Sequence, residues 1–145
     1  MFYMANSAAV TSVTAHYTTS GGVIKPGIMV MEISGAAISA VADGSVNNAS
    51  GASVHVSSSG SLTTTNANDI LIFATETGTN ETGWTAGAGY TIPSNNLATG
   101  ANGSNLRMAM QYAVAASALA NTTTTTNYLN TSWNSNVFAA FKAAP

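Results

Sequence analysis

Cysteine is absent from this 145-residue chain, and charged residues make up only 6% of it. Without cysteine, neither a disulfide framework nor a cysteine-based zinc site can form. Ordinary soluble domains carry about 25% charged residues, so the polar surface here must come from serine, threonine, asparagine and glycine. Disordered chains combine low hydrophobicity with high net charge. With 46% apolar residues and a net charge of −2, the sequence predicts one folded domain spanning residues 1–145.

Positive charge is equally scarce, since the chain has three lysine and arginine residues in total. That is too few to neutralise a phosphate backbone or to bind an anionic membrane, so we expect no nucleic-acid partner. No run approaches the roughly 20 apolar residues of a membrane span, and we expect no membrane insertion. Residues 1–6 lack the basic and apolar regions of a secretory signal. Two explanations stay open: export on an assembled particle, or a sequence that starts inside a longer precursor.

What the chain does contain is a period of two, which indicates half-buried β-strands. Met108, Met110 and Tyr112 alternate with Arg107, Ala109 and Gln111. Two runs, 28–33 and 70–74, are apolar on both sides and predict central strands covered on both faces. Turn residues separate the segments. The predicted strands lie near 3–4, 10–18, 28–34, 52–58, 61–65, 69–76, 106–116 and 136–142, with weaker candidates at 90–92 and 124–129.

An all-β fold follows from these patterns. A single sheet of so many strands leaves one face uncovered, whereas two packed sheets bury both apolar faces. We therefore predict an antiparallel two-sheet β-sandwich, jelly-roll-like in architecture. Residues 108–120 are rich in alanine and methionine and also permit a helix. The alternation and the following threonine run favour a strand.

The order of several segments resembles a β-sandwich module that recurs in bacterial surface proteins and in phage structural proteins, where it is jelly-roll or lectin-like. The segments that carry the resemblance are MFYMANSA at 1–8, VMEISG at 30–35, LTTTNANDILI at 62–72, WTAGAGYTI at 84–92, Trp133, and VFAAFK at 137–142. The resemblance implies further strands before Phe2 and Tyr3, and these are missing here. Two explanations stay open: a neighbouring subunit completes an open sheet edge, or the sequence covers only part of the module.

Catalytic motifs are missing from the sequence. No Gly-x-Ser-x-Gly elbow is present, and His16 and His55 alternate with apolar neighbours, which places them on a solvated or interface face. Glu76 and Glu81 fall in or beside a loop, where solvated acids are expected. We predict that the chain is not an enzyme.

Metal-binding patterns are incomplete. The segment at 43–47 spaces oxygen ligands alternately but lacks the closing glutamate of a calcium-binding loop, and the segment at 66–69 is typical of a turn. We therefore predict neither a metal nor a cofactor.

Binding is a better hypothesis than catalysis. Trp84 and Tyr90 bracket a glycine-rich turn close to Asn80 and Glu81. Sugars stack on aromatic rings while amides and carboxylates bind their hydroxyls, so these four residues form a candidate sugar site. The alternative is that Trp84 closes one end of the core.

Three functions are consistent with these observations. The first is a non-enzymatic structural protein on the exterior of a virus particle, capsid-decorating or tail-associated, with partners that are copies of itself and other structural subunits. The second is a secreted bacterial adhesin or fibre module on the cell surface. The third is a carbohydrate-binding module that recognises surface glycans through Trp84 and Tyr90.

Overall fold

The computed structural model describes residues 1–16, 27–78, 83–93, 97–98 and 107–145. Within these ranges the chain is all-β, with no helix, and its strands form one antiparallel sheet of six. The strands are β1 (Ala42–Ser58), β2 (Ile70–Thr77), β3 (Thr85–Ala86), β4 (Leu97–Ala98), β5 (Arg107–Val114) and β6 (Thr125–Phe141).

The sheet has the order β1-β6-β2-β5-β4, and β3 pairs with the beginning of β6. β2 therefore lies in the centre, hydrogen-bonded to β6 on one side and to β5 on the other. Its sequence explains this position, because Leu71, Ile72 and Phe73 are all buried and a central strand covered on both faces is apolar on both faces. The predicted central strand at 70–74 is confirmed.

The long ribbon of β1 and β6 doubles back over the sheet. Asn48 Nδ2 donates a hydrogen bond of 3.1 Å to the carbonyl of Ser58 on the same strand. A straight strand would hold two such residues about 33 Å apart. On β6, Asn134 Nδ2 likewise reaches the hydroxyl of Tyr128 at 3.0 Å. The strand register shifts between Ser50 and Val54 and again before Val56, and these irregularities allow the bend.

The bend encloses one face of the central strands, which we call the inner face. It carries Leu71, Phe73, Thr75 and Thr77 of β2. The opposite, outer face carries Ile70, Ile72, Ala74 and Glu76, because successive side chains of a strand point to opposite faces.

One half of the inner face is an apolar core. Phe73 and Phe138 meet edge to face with ring centroids 6.0 Å apart, a favourable geometry for aromatic pairs. The buried members of this cluster are Leu62, Leu71, Phe73, Ala115, Phe138 and Ala140.

The other half of the inner face is polar and equally buried. Gln111 has 0% of its surface exposed. Its Oε1 accepts a hydrogen bond from the amide of Gly87 at 3.0 Å, and its Nε2 donates to the carbonyl of Thr125 at 3.0 Å. Buried polar groups are tolerated when they are hydrogen-bonded in this way. The neighbouring buried polar residues include Ser57, Thr75, Thr77, Arg107, Thr126, Asn134 and Asn136.

The described residues that cover the outer face lie toward one end of it. Met29, Met31 and Ile33 pack against a cluster that contains Ile72, Met110, Ala139 and Phe141. These three residues belong to residues 28–33, which we call the extended segment.

The predicted strand at 106–116 is confirmed as β5, and the helix considered there is wrong for the described residues. β6 includes both the predicted strand at 136–142 and the weaker candidate at 124–129. β1 begins at Ala42, well before the predicted 52–58. The strand register shifts between Ala42 and Gly44, so the strand passes through Asp43 and Gly44, a residue pair that is typical of a turn. Residues 61–65 and 90–92 contribute only isolated bridges, at Leu62 and Thr91.

Three predicted strands are wrong where the structure describes them. Residues 3–4, 10–16 and 28–33 belong to no strand, and residues 17–18 lie outside the described residues. The extended segment keeps its alternation, but Ile28 and Val30 are 48% and 52% exposed, so it is not covered on both faces. Glu32 is exposed. Glu76, which was expected among solvated loop residues, lies in β2 and is half-buried. The predicted two-sheet sandwich stays a prediction, because all six strands join one sheet.

The polar half of the inner face should be essential for stability. We expect Gln111→Met to lower the free energy of unfolding by about 2–5 kcal/mol. The substitution leaves the buried amide of Gly87 and the buried carbonyl of Thr125 without their hydrogen-bond partner. Val114→Ala, on the same strand but 64% exposed, should change it by less than about 1 kcal/mol. Urea denaturation followed by circular dichroism measures both. Equal losses in the two variants would contradict a stabilising role for this network.

Candidate functional site

Two acidic residues and a lysine meet at one end of the sheet. Asp43 lies in β1, Asp69 directly precedes β2, and Lys142 directly follows β6. Asp43 accepts hydrogen bonds from the amide of Thr65 at 2.7 Å, from the hydroxyl of Thr65 at 2.6 Å and from the amide of Asn66 at 2.9 Å. Lys142 Nζ is 3.9 Å from Asp43 Oδ1. The three strand ends therefore converge on one carboxylate.

Asp69 is the unusual member of this group, because it is 0% exposed and neither carboxyl oxygen meets a hydrogen-bond donor among the described residues. Burial raises the pKa of Asp69 to about 6, with further contributions from the hydrogen bond and charge of Asp43 and a small opposing effect of Lys142. Burial also acts to raise the pKa of Asp43, but hydrogen bonds from Thr65 and Asn66 outweigh it and hold that pKa far below its ordinary value. A proton is therefore held more tightly on Asp69 than on Asp43.

Asp43 and Asp69, which we call the acid pair, form a structural element in which Asp69 holds a proton more tightly than an ordinary aspartate does. Asp43 is already saturated with donors, which leaves it poorly suited to act as a base. No group of three or more histidine, cysteine, aspartate or glutamate residues that could hold a metal ion occurs among the described residues. His16 and His55 are both exposed, as predicted, and neither joins the acid pair.

The two described residues of the predicted sugar site lie apart in their packing. Trp84 contacts Tyr128, with ring centroids 5.4 Å apart, whereas Tyr90 meets Phe138 at 6.3 Å on the apolar half of the inner face. Burial raises the pKa of Tyr90, and a hydrogen bond with Thr124 opposes this effect. Asn80 and Glu81 lie outside the described residues. The sugar site at Trp84 and Tyr90 stays a prediction, although each ring uses one side for internal packing.

The N-terminal residues form an exposed segment that is rich in apolar side chains. Residues 1–16, which we call the N-terminal arm, are exposed throughout, and Phe2 is fully so. Within the N-terminal arm, the ring of Tyr3 contacts the sheet. It meets the ring of Phe141 edge to face, with ring centroids 5.3 Å apart. Other exposed apolar residues of the arm are Met1, Met4, Val10 and Val13. Contiguous apolar surface of this kind marks interaction sites.

Among the described residues, the backbone of the extended segment has no hydrogen-bonded partner strand. Residues 28–33 belong to no strand, and they make no backbone hydrogen bond to any other described residue. The side chains of Met29, Met31 and Ile33 in this segment pack on the outer face of the sheet. The segment therefore presents a row of backbone donors and acceptors in extended conformation, next to the exposed Ile28 and Val30.

Sequence reasoning missed the acid pair because Asp43 and Asp69 lie in separate segments, each of which is typical of a turn. Only the pairing of β1 and β2 with β6 brings them together. The unpaired state of the extended segment was also missed, since alternation reports side-chain environment and not the presence of a ladder partner.

Comparisons with protein-family models, with curated proteins and with solved structures find no match to this chain. The described residues contain no helix long and apolar enough to cross a membrane.

The acid pair predicts an unusual pH dependence of stability. The folded state binds the proton of Asp69 more tightly than the unfolded state does, so the stability that this proton contributes is full below about pH 4 and is lost as the pH rises through 6. A pKa raised from 3.8 to about 6 corresponds to about 3 kcal/mol. Asp43 acts in the opposite sense, and its contribution is lost as the pH falls below 4. Stability should therefore be greatest near pH 4.

We expect Asp69→Asn to remove the decline between pH 4 and 7.5, because asparagine donates to Asp43 without carrying a charge. At pH 7.5 the variant should be more stable than the wild type by up to about 3 kcal/mol, and at pH 4 the two should agree. Urea denaturation across this pH range tests the expectation. Glu32→Gln, at an exposed acid, should retain the wild-type profile. A decline that persists in Asp69→Asn would show that another group causes it.

Proposed function

We propose that this protein is a non-enzymatic structural protein on the exterior of a virus particle, capsid-decorating or tail-associated, that makes contacts with copies of itself and with other structural subunits. The observation that carries the proposal is the extended segment, in which Met29, Met31 and Ile33 pack on the sheet while the backbone makes no hydrogen bond to another described residue. A strand in this state is a template for a strand from another chain.

The apolar side chains on the free side of the extended segment support pairing between copies. Ile28 and Val30 are about half exposed, and an added strand would cover them. Burying apolar surface contributes about 25 cal/mol for each Å² removed from water. The N-terminal arm supplies a second apolar strip, at Met4, Val10 and Val13, that a neighbouring copy can cover.

The low charge of the chain suits dense packing. Charged residues make up 6% of the sequence, so few ions need to lose their hydration when surfaces of many copies meet. Closed symmetric assemblies bury the same surface on every copy. The proposal accordingly places the extended segment at the subunit interface.

We infer that the finer architecture, a jelly-roll-like sandwich of two sheets, is completed by this pairing. The doubled ribbon of β1 and β6 already supplies a second layer over the inner face. The extended segment lies over one end of the outer face. A strand from a neighbouring copy that pairs with this segment would form, together with it, the start of a second sheet over the outer face.

Assembly in solution tests the proposal. We expect the full chain to form oligomers of defined size in size-exclusion chromatography with light scattering. The double variant Ile28→Asn and Val30→Asn should shift the population toward monomer, because the added strand would then bury amides instead of aliphatic groups. Its thermal stability should change little, since both side chains point away from the sheet.

Val114→Asn is the matched control, because Val114 is an exposed aliphatic residue that lies on β5, outside the extended segment. This variant should assemble as the wild type does. A wild type that stays monomeric at millimolar concentration, or oligomers that the double variant leaves intact, would rule the interface out.

Gene context separates the virion from the secreted adhesin or fibre module. Neighbouring genes for a terminase, portal or tail protein, and labelling of purified particles by an antibody to this chain, are expected for the virion protein. An upstream secretion signal in the open reading frame, with no labelled particles, would favour the surface module.

A further inference from the structure

Trp133 lies on the outer face, at the end away from the extended segment. In β6 its neighbours Ser132 and Asn134 are buried, whereas Trp133 is 44% exposed. The ring covers Gly78, and a methyl group in place of a Gly78 hydrogen would overlap the indole. The glycine therefore allows one side of the ring to rest against the backbone, while the other side faces water.

A fixed carboxylate lies beside this ring. Glu76 is directly opposite Ser135 in the β2–β6 ladder, and Ser135 Oγ donates a hydrogen bond of 2.5 Å to Glu76 Oε1. Trp133 and Ser135 are two residues apart on β6 and thus share the outer face. The other oxygen, Oε2 of Glu76, receives no hydrogen bond from the described residues.

This end of the outer face is not the part on which the extended segment packs. That segment covers Ile72, Met110 and Phe141, toward the opposite ends of β2 and β6. Trp133, Glu76 and Ser135 therefore form a group of aromatic, carboxylate and hydroxyl groups on a rigid sheet, with the aromatic ring open to solvent. Sites on sheet strands hold their geometry better than sites on loops.

We propose that Trp133, Glu76 and Ser135 form a binding site for a neutral hexopyranose unit of a glycan. A pyranose ring presents an apolar face of C–H groups, which stacks on an exposed indole, and its equatorial hydroxyls donate to a carboxylate. Trp133 supplies the platform, Glu76 Oε2 accepts from a sugar hydroxyl, and Ser135 orients Glu76. Gly78 is a positioning residue that keeps the indole flat.

The charge around the site selects against acidic sugars. Glu76 is the charged residue within the group, and the described cations lie elsewhere: Arg107 is buried on the inner face, and Lys142 follows the far end of β6. A sialic acid or a phosphorylated sugar would bring its negative charge next to an uncompensated carboxylate. Neutral glycans are therefore the expected ligands.

A glycan array that carries neutral and acidic structures tests the inference, followed by titration with soluble neutral oligosaccharides of glucose, N-acetylglucosamine and galactose. The titration uses Trp84→Phe, which leaves Trp133 as the only tryptophan and preserves the ring contact with Tyr128. We expect binding to a subset of neutral glycans, with a change in Trp133 fluorescence. Trp133→Ala should weaken binding about tenfold or more, and Glu76→Gln should weaken it to a similar extent.

Two controls keep the test independent of folding and of assembly. Gly78→Ala retains the indole but tilts it, so binding should fall while the sheet signal in circular dichroism is unchanged. In the titration with soluble oligosaccharides, the double variant Ile28→Asn and Val30→Asn should bind with the affinity of the wild type, because it alters only the assembly surface. Absence of binding to every neutral glycan, or binding that survives Trp133→Ala, would overturn the inference while leaving the proposed assembly role intact.

Discussion

The fold depends on the bend of the β1–β6 ribbon over the central strand β2. This bend encloses the inner face, and the enclosed volume is filled by two different kinds of contact. At one end Phe73 and Phe138 pack with small aliphatic residues, and this burial supplies the driving force. At the other end Asn134 and Asn136 connect β6 to the returning part of β1, through bonds such as that from Asn136 Nδ2 to the hydroxyl of Ser57 at 2.8 Å. The aromatic contacts provide stability, whereas the amide bonds fix how the ribbon returns.

This arrangement adds a second explanation for the low charge and the abundance of small polar residues. Low charge with abundant asparagine, serine and threonine suggests an uncharged surface, and the exposed strand positions agree with that interpretation. Many of the same residue types nevertheless lie in the interior, where short side chains fit between closely spaced layers and several are hydrogen-bonded to one another, as Ser57 and Asn134 are. The composition therefore reflects the interior as much as the surface.

The sequence correctly predicted β2 and β5, each of which has a neighbouring strand on both sides. It wrongly predicted a strand at the extended segment, which has no partner strand among the described residues. β2 and β5 were recognisable because their apolar residues face packed layers and their ends carry turn residues. The extended segment has the same alternation, since Met29, Met31 and Ile33 do pack on the sheet, but a side-chain pattern contains no information about whether a backbone partner exists. The acid pair was unpredictable for another reason: Asp43 and Asp69 become neighbours only through the pairing of their strands with β6. Of the predicted sugar residues, Trp84 and Tyr90 could be found as aromatic residues near a turn, but their packing against Tyr128 and Phe138 depends on the bend.

The two ends of the outer face have different physical character, and this difference separates the two proposed roles. At one end the extended segment covers the sheet, and its backbone, which pairs with no other described residue, lies beside exposed aliphatic side chains; this combination favours a strand of the same kind of chain over a small molecule. At the other end lie an exposed indole and a carboxylate, which are suited to a small polar ring with one apolar side. Because β2 and β6 run through both ends, an assembly formed at the first end would hold many copies of the second end in fixed geometry. Multivalent display of this kind raises the avidity of a single shallow sugar site without any new contact, which makes a flat, one-tryptophan platform useful on a particle even where it would bind weakly on a monomer.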